Sequence, residues 1–425
     1  MTSEQNCFVH IVLPGATEFV PAGRFQLSES PGGARVGRFV YARSYLKRRN
    51  AVELDPVQLR LAQTPFETAR LRGIFGAIRD AMPDSWGRRV IERRHGGVTL
   101  DDFRYLMEGA DDRAGALAFS ESAEPPLPVQ SFPNTIHLAE LQAAADATIA
   151  GEPVPRDIAG DQLHALLLQG TSMGGARPKA VVEHDSELWL AKFGHPDDRW
   201  NDPRVEHGLL TLAKQCGIRV AESRVEKVGG RDVVLVRRFD RKRADLGYYR
   251  HRMISALTAL QADSSATGRE RWSYLLFADE IRRASAAGSK DLRELFTRMC
   301  FNAAVSNSDD HPRNHALLAE GESWRLSPAY DVTPIPSLAR DERFLAMACG
   351  PLGRLANKNN LIAAAGRFLI SEEDAKQIFE RTSQTVRLRW EETMRQCGVS
   401  EKDCRTIAPA FLHDGLFHDL ELHAR

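Results

Sequence analysis

The chain has 425 residues, of which 43% are hydrophobic and 27% charged, and its 57 basic side chains balance 57 acidic ones. This length predicts about two to three domains, and the composition excludes wholesale disorder, collagen-like repeats and a coiled coil. The neutral total excludes a protein whose whole surface is basic for nucleic-acid binding. The sequence shows neither a membrane span nor a signal peptide, so we expect a cytoplasmic protein with no membrane partner.

The first part of the chain is rich in strand patterns, which predict strands at 8–13, 23–30, 36–46 and 51–61. From Pro65 the apolar residues recur at three- and four-residue steps, beginning with Phe66, and this spacing predicts helices that cover a small sheet. Four prolines between 122 and 135 predict a surface connection between subdomains.

The middle of the chain combines helices with pairs of strands. Helices are predicted over 159–169 and 203–216. Strand pairs are predicted for KAVVEH with ELWLAKFG and for RVAESRVEKV with RDVVLVRRF, each joined by a short turn. Beyond about residue 245 the pattern is mostly helical. Strands first and helices second predict an α+β fold with two lobes.

A glycine-rich segment, GTSMGGARPK at 170–179, lies between a predicted helix and a predicted strand. Glycines allow backbone N–H groups to approach phosphate oxygens, and serine, arginine and lysine side chains add further donors. The segment matches neither the Walker pattern nor GxGxxG. A phosphate-binding loop and a simple tight turn into a hairpin therefore both stay open.

Lys192 stands in the apolar strand LWLAKF, on the side that alternation gives to Leu188 and Leu190. A buried ammonium group needs an anionic partner, because an unpaired buried charge costs several kcal/mol. Glu206 on the following helix or the phosphates of a ligand fit that role. The alternative is a lysine at a strand end whose ammonium group reaches solvent.

The densest polar cluster, NSDDHPRN at 307–314, follows an apolar helical run. Asp309 precedes Asn314 by five residues, the spacing of the catalytic base and the metal-binding amide in a kinase loop. Asp331 follows a predicted hairpin, where a carboxylate can hold Mg²⁺ against phosphates. An ordinary turn after a helix and a solvent-facing loop aspartate are the alternatives.

In combination, these motifs resemble the HipA family, serine/threonine kinases that act as toxins of bacterial toxin–antitoxin pairs. The motifs that carry the resemblance are GRFVYARSYLKR with AVELDP, IFGAIRDAMPDSWGRR, SMGGARPKAVV, RRFDR, SDDHPRNHALL and LSPAYDVTP. The resemblance implies a protein-kinase-like fold with a β-rich N-terminal subdomain and a mostly helical C-terminal lobe. The implied parts are an N-terminal subdomain (1–135), an N-lobe with the nucleotide loop (136–243) and a helical C-lobe (244–425).

The resemblance also implies roles for individual residues. It implies that ATP is contacted by Gly174, Gly175, Ala176, Arg177, Pro178, Lys179 and Lys192, and that the adenine hinge is formed by Arg237, Arg238 and Phe239. In the polar loop it implies that Asp309 is the proton acceptor and that His311 is a loop residue on the nucleotide side. It further implies that Asn314 and Asp331 are the Mg²⁺ ligands and that Ser172 is the autophosphorylated serine. Phosphate on Ser172 would repel ATP and silence the enzyme.

The implied substrate is a protein, an aminoacyl-tRNA synthetase, and the implied partner is a small helix-turn-helix antitoxin that alone contacts DNA. Three positions depart from the family pattern. Arg237 replaces a glutamate, Asp310 replaces a glycine, and Pro83 to Gly87 replaces a Pro-Glu-Gly turn. The sequence does not show what these departures do.

Two other functions stay open at this point. One is an inactive, kinase-shaped corepressor that assists the antitoxin on its operator. The other is a metal-dependent phosphohydrolase that uses Asp309, Asp310, His311 and Asp331, although it leaves the glycine-rich loop and Lys192 without a role.

Overall fold

The structure, a computed structural model, describes residues 3–129, 131–152, 167, 172, 174–195, 197–337 and 341–419. The chain divides into two compact units. The first comprises Met1–Phe193, Arg237–Ile254 and Leu318–Ser323, and the second comprises Gly194–Val236, Ser255–Leu317 and Trp324–Arg425. The predicted division into three parts is finer than these units and stays a prediction. Among the described residues, no helix has the length and apolarity that crossing a membrane requires.

A five-stranded antiparallel sheet forms the beginning of the first unit. Its strands are β1 (Ser3–Val12), β2 (Phe19–Glu29), β3 (Arg35–Tyr41), β4 (Phe66–Thr68) and β5 (Leu117–Ser120), in the order β4-β3-β2-β1-β5. Cys7, Val9 and Ile11 on one face of β1 are fully buried, and so are His10 and Val12 on the other face, so the second half of this strand is covered on both faces. The predicted strands at 8–13 and 23–30 fall on β1 and β2. The predicted strand at 36–46 falls on β3 only as far as Tyr41, because Arg43–Leu46 forms a short helix.

The helices of the first unit are α1 (Arg43–Leu46), α2 (Gly76–Asp80), α3 (Ser85–Arg94), α4 (Asp102–Glu108) and α5 (Leu138–Ala150). Phe25 of β2 packs edge-on against Phe75 and parallel to Phe103, with ring centroids 6.2 and 6.5 Å apart. Gly37 lets β3 approach the segment before α2, because a Cβ atom there would lie 1.7 Å from the Gly73 carbonyl oxygen.

Two hairpins also belong to the first unit. One joins β6 (Lys179–His184) to β7 (Glu187–Phe193), and the other joins β10 (Arg241–Arg243) to β11 (Tyr248–Arg250). Asp185 and Ser186 turn the first hairpin with φ angles of 50° and 62°. Two consecutive positive φ angles are typical of the tight turns that match strand twist. This hairpin confirms the predicted strand pair.

Three sequence predictions need comment. The predicted strand at 51–61 is wrong, because the buried Asp55 carboxylate accepts hydrogen bonds from the backbone of Val57, Gln58 and Leu59 and folds the segment into a turn. The assignment of Phe66 to a helix is also wrong, since it begins β4. The predicted helix over 159–169 lies outside the described residues apart from residue 167.

The second unit is mainly helical. Its helices are α6 (Asp202–Gln215), α7 (Ala256–Ala259), α8 (Ala266–Arg269), α9 (Tyr274–Ala284), α10 (Gly288–Ala304), α11 (Lys358–Ala363), α12 (Glu372–Gln396) and α13 (Glu401–Ile407). Twelve residues of α10 are buried, so this helix forms the centre of the unit. Gly208 of α6 allows close packing, because a Cβ atom there would lie 2.5 Å from the Met394 Sδ of α12.

The remaining strands are β8 (Ser223–Val228), β9 (Arg231–Arg237), β12 (Arg252–Ser255), β13 (Ala316–Glu320) and β14 (Ser323–Leu326). Strands β8 and β9 form the second predicted strand pair. Helix α6 begins one residue before the predicted helix and ends one residue earlier. A β-rich beginning and a helical second unit confirm the predicted α+β class.

Candidate active site

The polar loop after α10 is fixed by its own side chains. Asn307 is fully buried, and its amide donates from Nδ2 to Asn302 Oδ1 over 3.1 Å. Ser306 has a positive φ of 48° and donates from Oγ to the Ala410 carbonyl oxygen over 2.5 Å. A short 3-10 helix, Pro312–Asn314, ends the loop. These contacts hold the segment that contains the predicted proton acceptor.

Asn314 connects the two predicted acidic positions. It is 5% exposed, and its Nδ2 donates to the backbone oxygens of Asp309 and Asp331, each 3.4 Å away. Both contacts are long, but together they hold the amide between the two segments. The predicted trio Asp309, Asn314 and Asp331 is therefore brought together in the second unit.

The Asp309 side chain is exposed, as contact with a substrate hydroxyl requires. Partial burial of its carboxyl raises the pKa of Asp309. His311 opposes this rise, and the negative charges of Asp331 and Asp310 add to it. Asp331 adopts a left-handed backbone with φ of 58°, a conformation that aspartate tolerates better than most residues.

The donor set fits Mg²⁺. The negative charge of Asp331 raises the pKa of Asp309. Two carboxylates that repel each other in this way favour a cation near them. The amide N–H₂ of Asn314 is used by backbone oxygens, so the predicted contact with Mg²⁺ would use its carbonyl oxygen. Carboxylate and amide oxygens are the donors that this hard cation prefers.

Asp310, which departs from the family pattern, is buried away from this trio. Its Oδ2 accepts a hydrogen bond from the Tyr274 hydroxyl and lies 2.8 Å from His315 Nε2. Tyr274 in turn accepts from Asn302 Nδ2 over 3.1 Å. Burial, followed by the charge of Asp310, raises the pKa of Tyr274. The extra carboxylate thus belongs to an interior polar network under the loop.

His311 stands on the other side of the loop. Its ring packs edge-on against Trp272, with centroids 6.2 Å apart. Among the described residues, its buried Nδ1 atom has no hydrogen-bond partner. The predicted role beside a nucleotide stays a prediction.

In the first unit, the glycine-rich segment opens toward solvent at its centre. Gly174 and Gly175 have φ angles of 87° and 92°, which only glycine adopts at low cost. Gly175, Ala176 and Arg177 are exposed, whereas Pro178 is buried. Backbone N–H groups in such a loop can reach a ligand.

Ser172 lies in this segment, before its two consecutive glycines, and is partly buried. Its Oγ accepts a hydrogen bond from the backbone N–H of Ala114 over 2.6 Å. The hydroxyl is therefore held by the loop before β5.

Lys179, the last residue of the segment, is 1% exposed. Its Nζ lies 2.9 Å from Asp84 Oδ2 and 3.1 Å from the Gly175 carbonyl oxygen. The Trp86 indole donates to the Lys179 carbonyl oxygen over 3.0 Å. The ammonium group thus binds the backbone of the loop at Gly175. The contact of Lys179 with ATP stays a prediction.

Asp84 and Trp86 were missed by sequence reasoning as parts of this site. They belong to the altered turn from Pro83 to Gly87, whose role the sequence left open. Asp84 also caps α3, because its Oδ1 accepts from the Gly87 N–H over 2.9 Å. Burial raises the pKa of the Asp84 carboxyl, and the Lys179 ammonium group opposes that rise.

Lys192 is 9% exposed and pairs in register with Lys179 across β6 and β7. Its strand alternation continues that of Leu188 and Leu190, which belong to a hydrophobic cluster, as predicted. Glu206 lies on α6 in the second unit and is partly buried. A pairing of Lys192 with Glu206 stays a prediction.

The two arginines of the predicted hinge, Arg237 and Arg238, form ion pairs with carboxylates of the first unit. Arg237 Nη2 lies 2.5 Å from Glu187 Oε1, which gives this departure from the family pattern a partner. Arg238 is buried and pairs with Asp112 and Asp240, and its backbone N–H donates to Leu188 over 2.8 Å. A nucleotide would therefore meet carbonyl oxygens of the hinge, or the partly buried Phe239.

Comparison with known proteins places these sites in a family context. Residues 171–390 match the family described as HipA-like C-terminal domain, and residues 20–120 match the HipA N-terminal domain. A protein of Sinorhizobium fredii named "Putative kinase Y4mE" is 27% identical over 319 residues, which cover 69% of this chain and 71% of that protein.

Two solved structures are also similar. The HipA chain of a Shewanella oneidensis complex of HipA, HipB and operator DNA has a TM-score of 0.65 at 16% identity, covering 95% of this chain and 94% of that one. A Helicobacter pylori proinflammatory kinase, CtkA, covers 53% of this chain and 92% of its own, with 12% identity and a TM-score of 0.37. The first likeness shows a shared kinase-like fold.

Proposed function

Because the chain belongs to the HipA family of kinase toxins, we propose that it transfers the γ-phosphoryl group of ATP to a serine or threonine hydroxyl of a protein. The observation that carries this proposal is the position of Asn314, which joins the segments of Asp309 and Asp331 through two hydrogen bonds. This is the arrangement that phosphoryl transfer needs, because positioning and charge stabilisation supply most of the catalysis.

In the proposed mechanism, the exposed Asp309 carboxylate orients the substrate hydroxyl and accepts its proton. Asn314 and Asp331 would hold Mg²⁺, which neutralises the charge that develops on the phosphate oxygens. Backbone N–H groups of Gly174 to Arg177 would bind the phosphates of ATP, and Lys192 would add a cation. The carbonyl oxygens of the hinge at 237–239 would accept hydrogen bonds from the adenine.

The first test is the Asp309→Gln variant, assayed with labelled ATP and Mg²⁺. Removing the proton acceptor should lower the labelling of protein by about 10² to 10⁴-fold, while the circular dichroism spectrum stays unchanged. Asp245→Asn, an exposed carboxylate of the β10–β11 turn, is the matched control and should keep full activity. Undiminished labelling by Asp309→Gln would contradict the assigned role.

We also propose that Ser172 is the site of self-silencing. Its hydroxyl is held by the Ala114 N–H, and a phosphate there would add about −1.5 to −2 charges beside a phosphate-binding loop. Ser172→Ala should therefore lose the self-labelled product and keep transferring phosphate to other proteins, whereas Ser186→Ala should behave as wild type. Mass spectrometry that finds the same phosphate elsewhere on Ser172→Ala would refute this regulation.

The proposed substrate is an aminoacyl-tRNA synthetase, the proposed antitoxin is a small helix-turn-helix protein that contacts DNA for the pair, and the proposed location is the cytoplasm. The complex of HipA with HipB and operator DNA supports the partner by analogy. Phosphoproteomics of cells that express wild type or Asp309→Gln would identify the substrate directly. If wild type labels nothing but is purified together with an antitoxin, the inactive corepressor is the correct function instead.

A further inference from the structure

A small cavity in the first unit combines basic side chains with a buried arginine that has few partners. Its volume is about 160 Å³. Lys242, Arg250, His251 and Arg252 line it, together with Tyr249 of β11 and with apolar and glycine residues from 12–15 and 319–321. None of its ten lining residues is acidic. The cavity is therefore electrically positive.

Arg250 and Arg252 are the two buried arginines of this cavity, and Arg252 is paired with Glu53. Arg250 is 5% exposed, its Nη1 donates to the Asp111 carbonyl oxygen over 2.7 Å, and its guanidinium lies 4.7 Å from the centre of the Phe19 ring. Among the described residues, it forms no ion pair. Arg113, which is equally buried, instead donates to three carbonyl oxygens.

The carboxylates nearest to Arg250 are already shared by two other arginines. Asp112 and Asp240 are both buried, and each pairs with Arg238 and with Arg241. The guanidinium groups of Arg238 and Arg241 thus share both carboxylates, and Arg250 is in ion-pair contact with neither. Burial, followed by the charge of Arg241, lowers the pKa of Arg250 to about 9, so this group is still charged at neutral pH.

Three other ionic groups stand close to the cavity. Asp111 interacts with Arg250 through space. Glu53 pairs with Arg252 over 2.7 Å, and Glu320 interacts with His251. Glu53 and Asp111 are each engaged with arginines, and neither side chain lines the cavity. All three acidic groups lie outside the lining, so the charged side chains that face the cavity are basic.

We propose that this cavity binds a small phosphate-class oxyanion, either free phosphate or the phosphate of a phosphomonoester. Guanidinium groups match the geometry of phosphate oxygens and are weakly hydrated, which suits a partly buried site. A cavity of about 150 Å³ holds a molecule the size of benzene, so a phosphate group with a short substituent fits. The bound anion would give the buried Arg250 an ion-pair contact, which it does not have among the described residues.

The test is isothermal titration calorimetry of the full chain with inorganic phosphate, at fixed ionic strength and in the presence of Mg²⁺ and a saturating non-hydrolysable ATP analogue. The analogue occupies the proposed nucleotide site, so the remaining phosphate binding reports on the cavity. Lys242→Glu, an exposed lining residue, should weaken phosphate binding at least about tenfold. Lys402→Glu, an exposed lysine of α13 that does not line the cavity, is the charge-matched control and should bind as wild type.

Arg250→Gln provides a second variant, and the Lys242→Glu result stands even if this buried substitution fails to fold. O-phosphoserine that binds more tightly than inorganic phosphate would identify a phosphomonoester as the ligand, and the reverse order would identify the free ion. Absent phosphate binding, or equal binding by wild type and Lys242→Glu, overturns the proposal. A chain that does not bind the ATP analogue would contradict the kinase assignment and leave the comparison of the two lysine variants intact.

Discussion

Replacing Asp84 with alanine should destabilise the first unit far more than the loss of a helix cap. The substitution removes the cap of α3, which is worth about 1 kcal/mol. It also leaves the ammonium group of Lys179, 1% exposed, with the Gly175 carbonyl oxygen as its hydrogen-bond acceptor. Breaking a buried ion pair by removing one partner costs about 3–5 kcal/mol. The expected total is therefore about 4–6 kcal/mol.

Asp101→Ala is the matched control, because Asp101 caps α4 with the same geometry. Its Oδ1 accepts from the Arg104 N–H over 2.9 Å, the distance found at Asp84, but it is exposed and does not pair with a buried cation. It should cost about 1 kcal/mol. The difference between the two variants isolates the ion pair.

The assay is urea unfolding followed by circular dichroism, completed by the double variant Asp84→Ala with Lys179→Met. Removing both charges should recover about 2 kcal/mol or more relative to Asp84→Ala alone, because apolar replacement of a buried pair is often neutral. An Asp84→Ala cost equal to that of Asp101→Ala, or additive costs in the double variant, would refute the reasoning.

Two further predictions concern the second unit. Asp310→Gly restores the residue usual in the family, yet it should cost about 2–4 kcal/mol in urea unfolding, because it removes the acceptor of the Tyr274 hydroxyl; a neutral effect would contradict the network. Burial, followed by the charge of Arg343, lowers the pKa of His413 to about 4. Between the ordinary pKa of 6.5 and this lowered value, the unfolded chain binds a proton at His413 that the folded protein does not bind. The free energy of unfolding therefore decreases as the pH falls from 6.5 toward 4. His413→Gln should therefore reduce the loss of stability between pH 7 and pH 5 by about 2 kcal/mol, whereas the exposed His95→Gln should not, and equal losses in both variants would disprove it.

Local patterns carried most of what could be predicted. The β6–β7 hairpin and helix α6 follow from alternation and from helical spacing, both of which act within a few residues. The polar loop at 307–314 could also be recognised, because Asp309 and Asn314 are five residues apart. The wrong strand at 51–61 has a local cause that was visible in the sequence, since Asp55 and Pro56 both favour a turn.

Long-range polar contacts could not be predicted. Asp84 and Lys179 are 95 residues apart, and Tyr274 is 36 residues from Asp310. The sequence shows that each of these groups is ionisable or polar. Which of them meet is decided by how the elements pack, and packing is not periodic along the chain.

The contacts of Asp84 and Trp86 with Lys179 determine which part of the chain can be expressed alone. A shortened chain that begins at residue 136 would encode the predicted nucleotide loop and every predicted site residue. It would lack both the carboxylate that neutralises Lys179 and the indole that binds its carbonyl oxygen. We therefore expect the isolated portion from residue 136 onward to fold only when the first 135 residues are co-expressed with it as a second polypeptide.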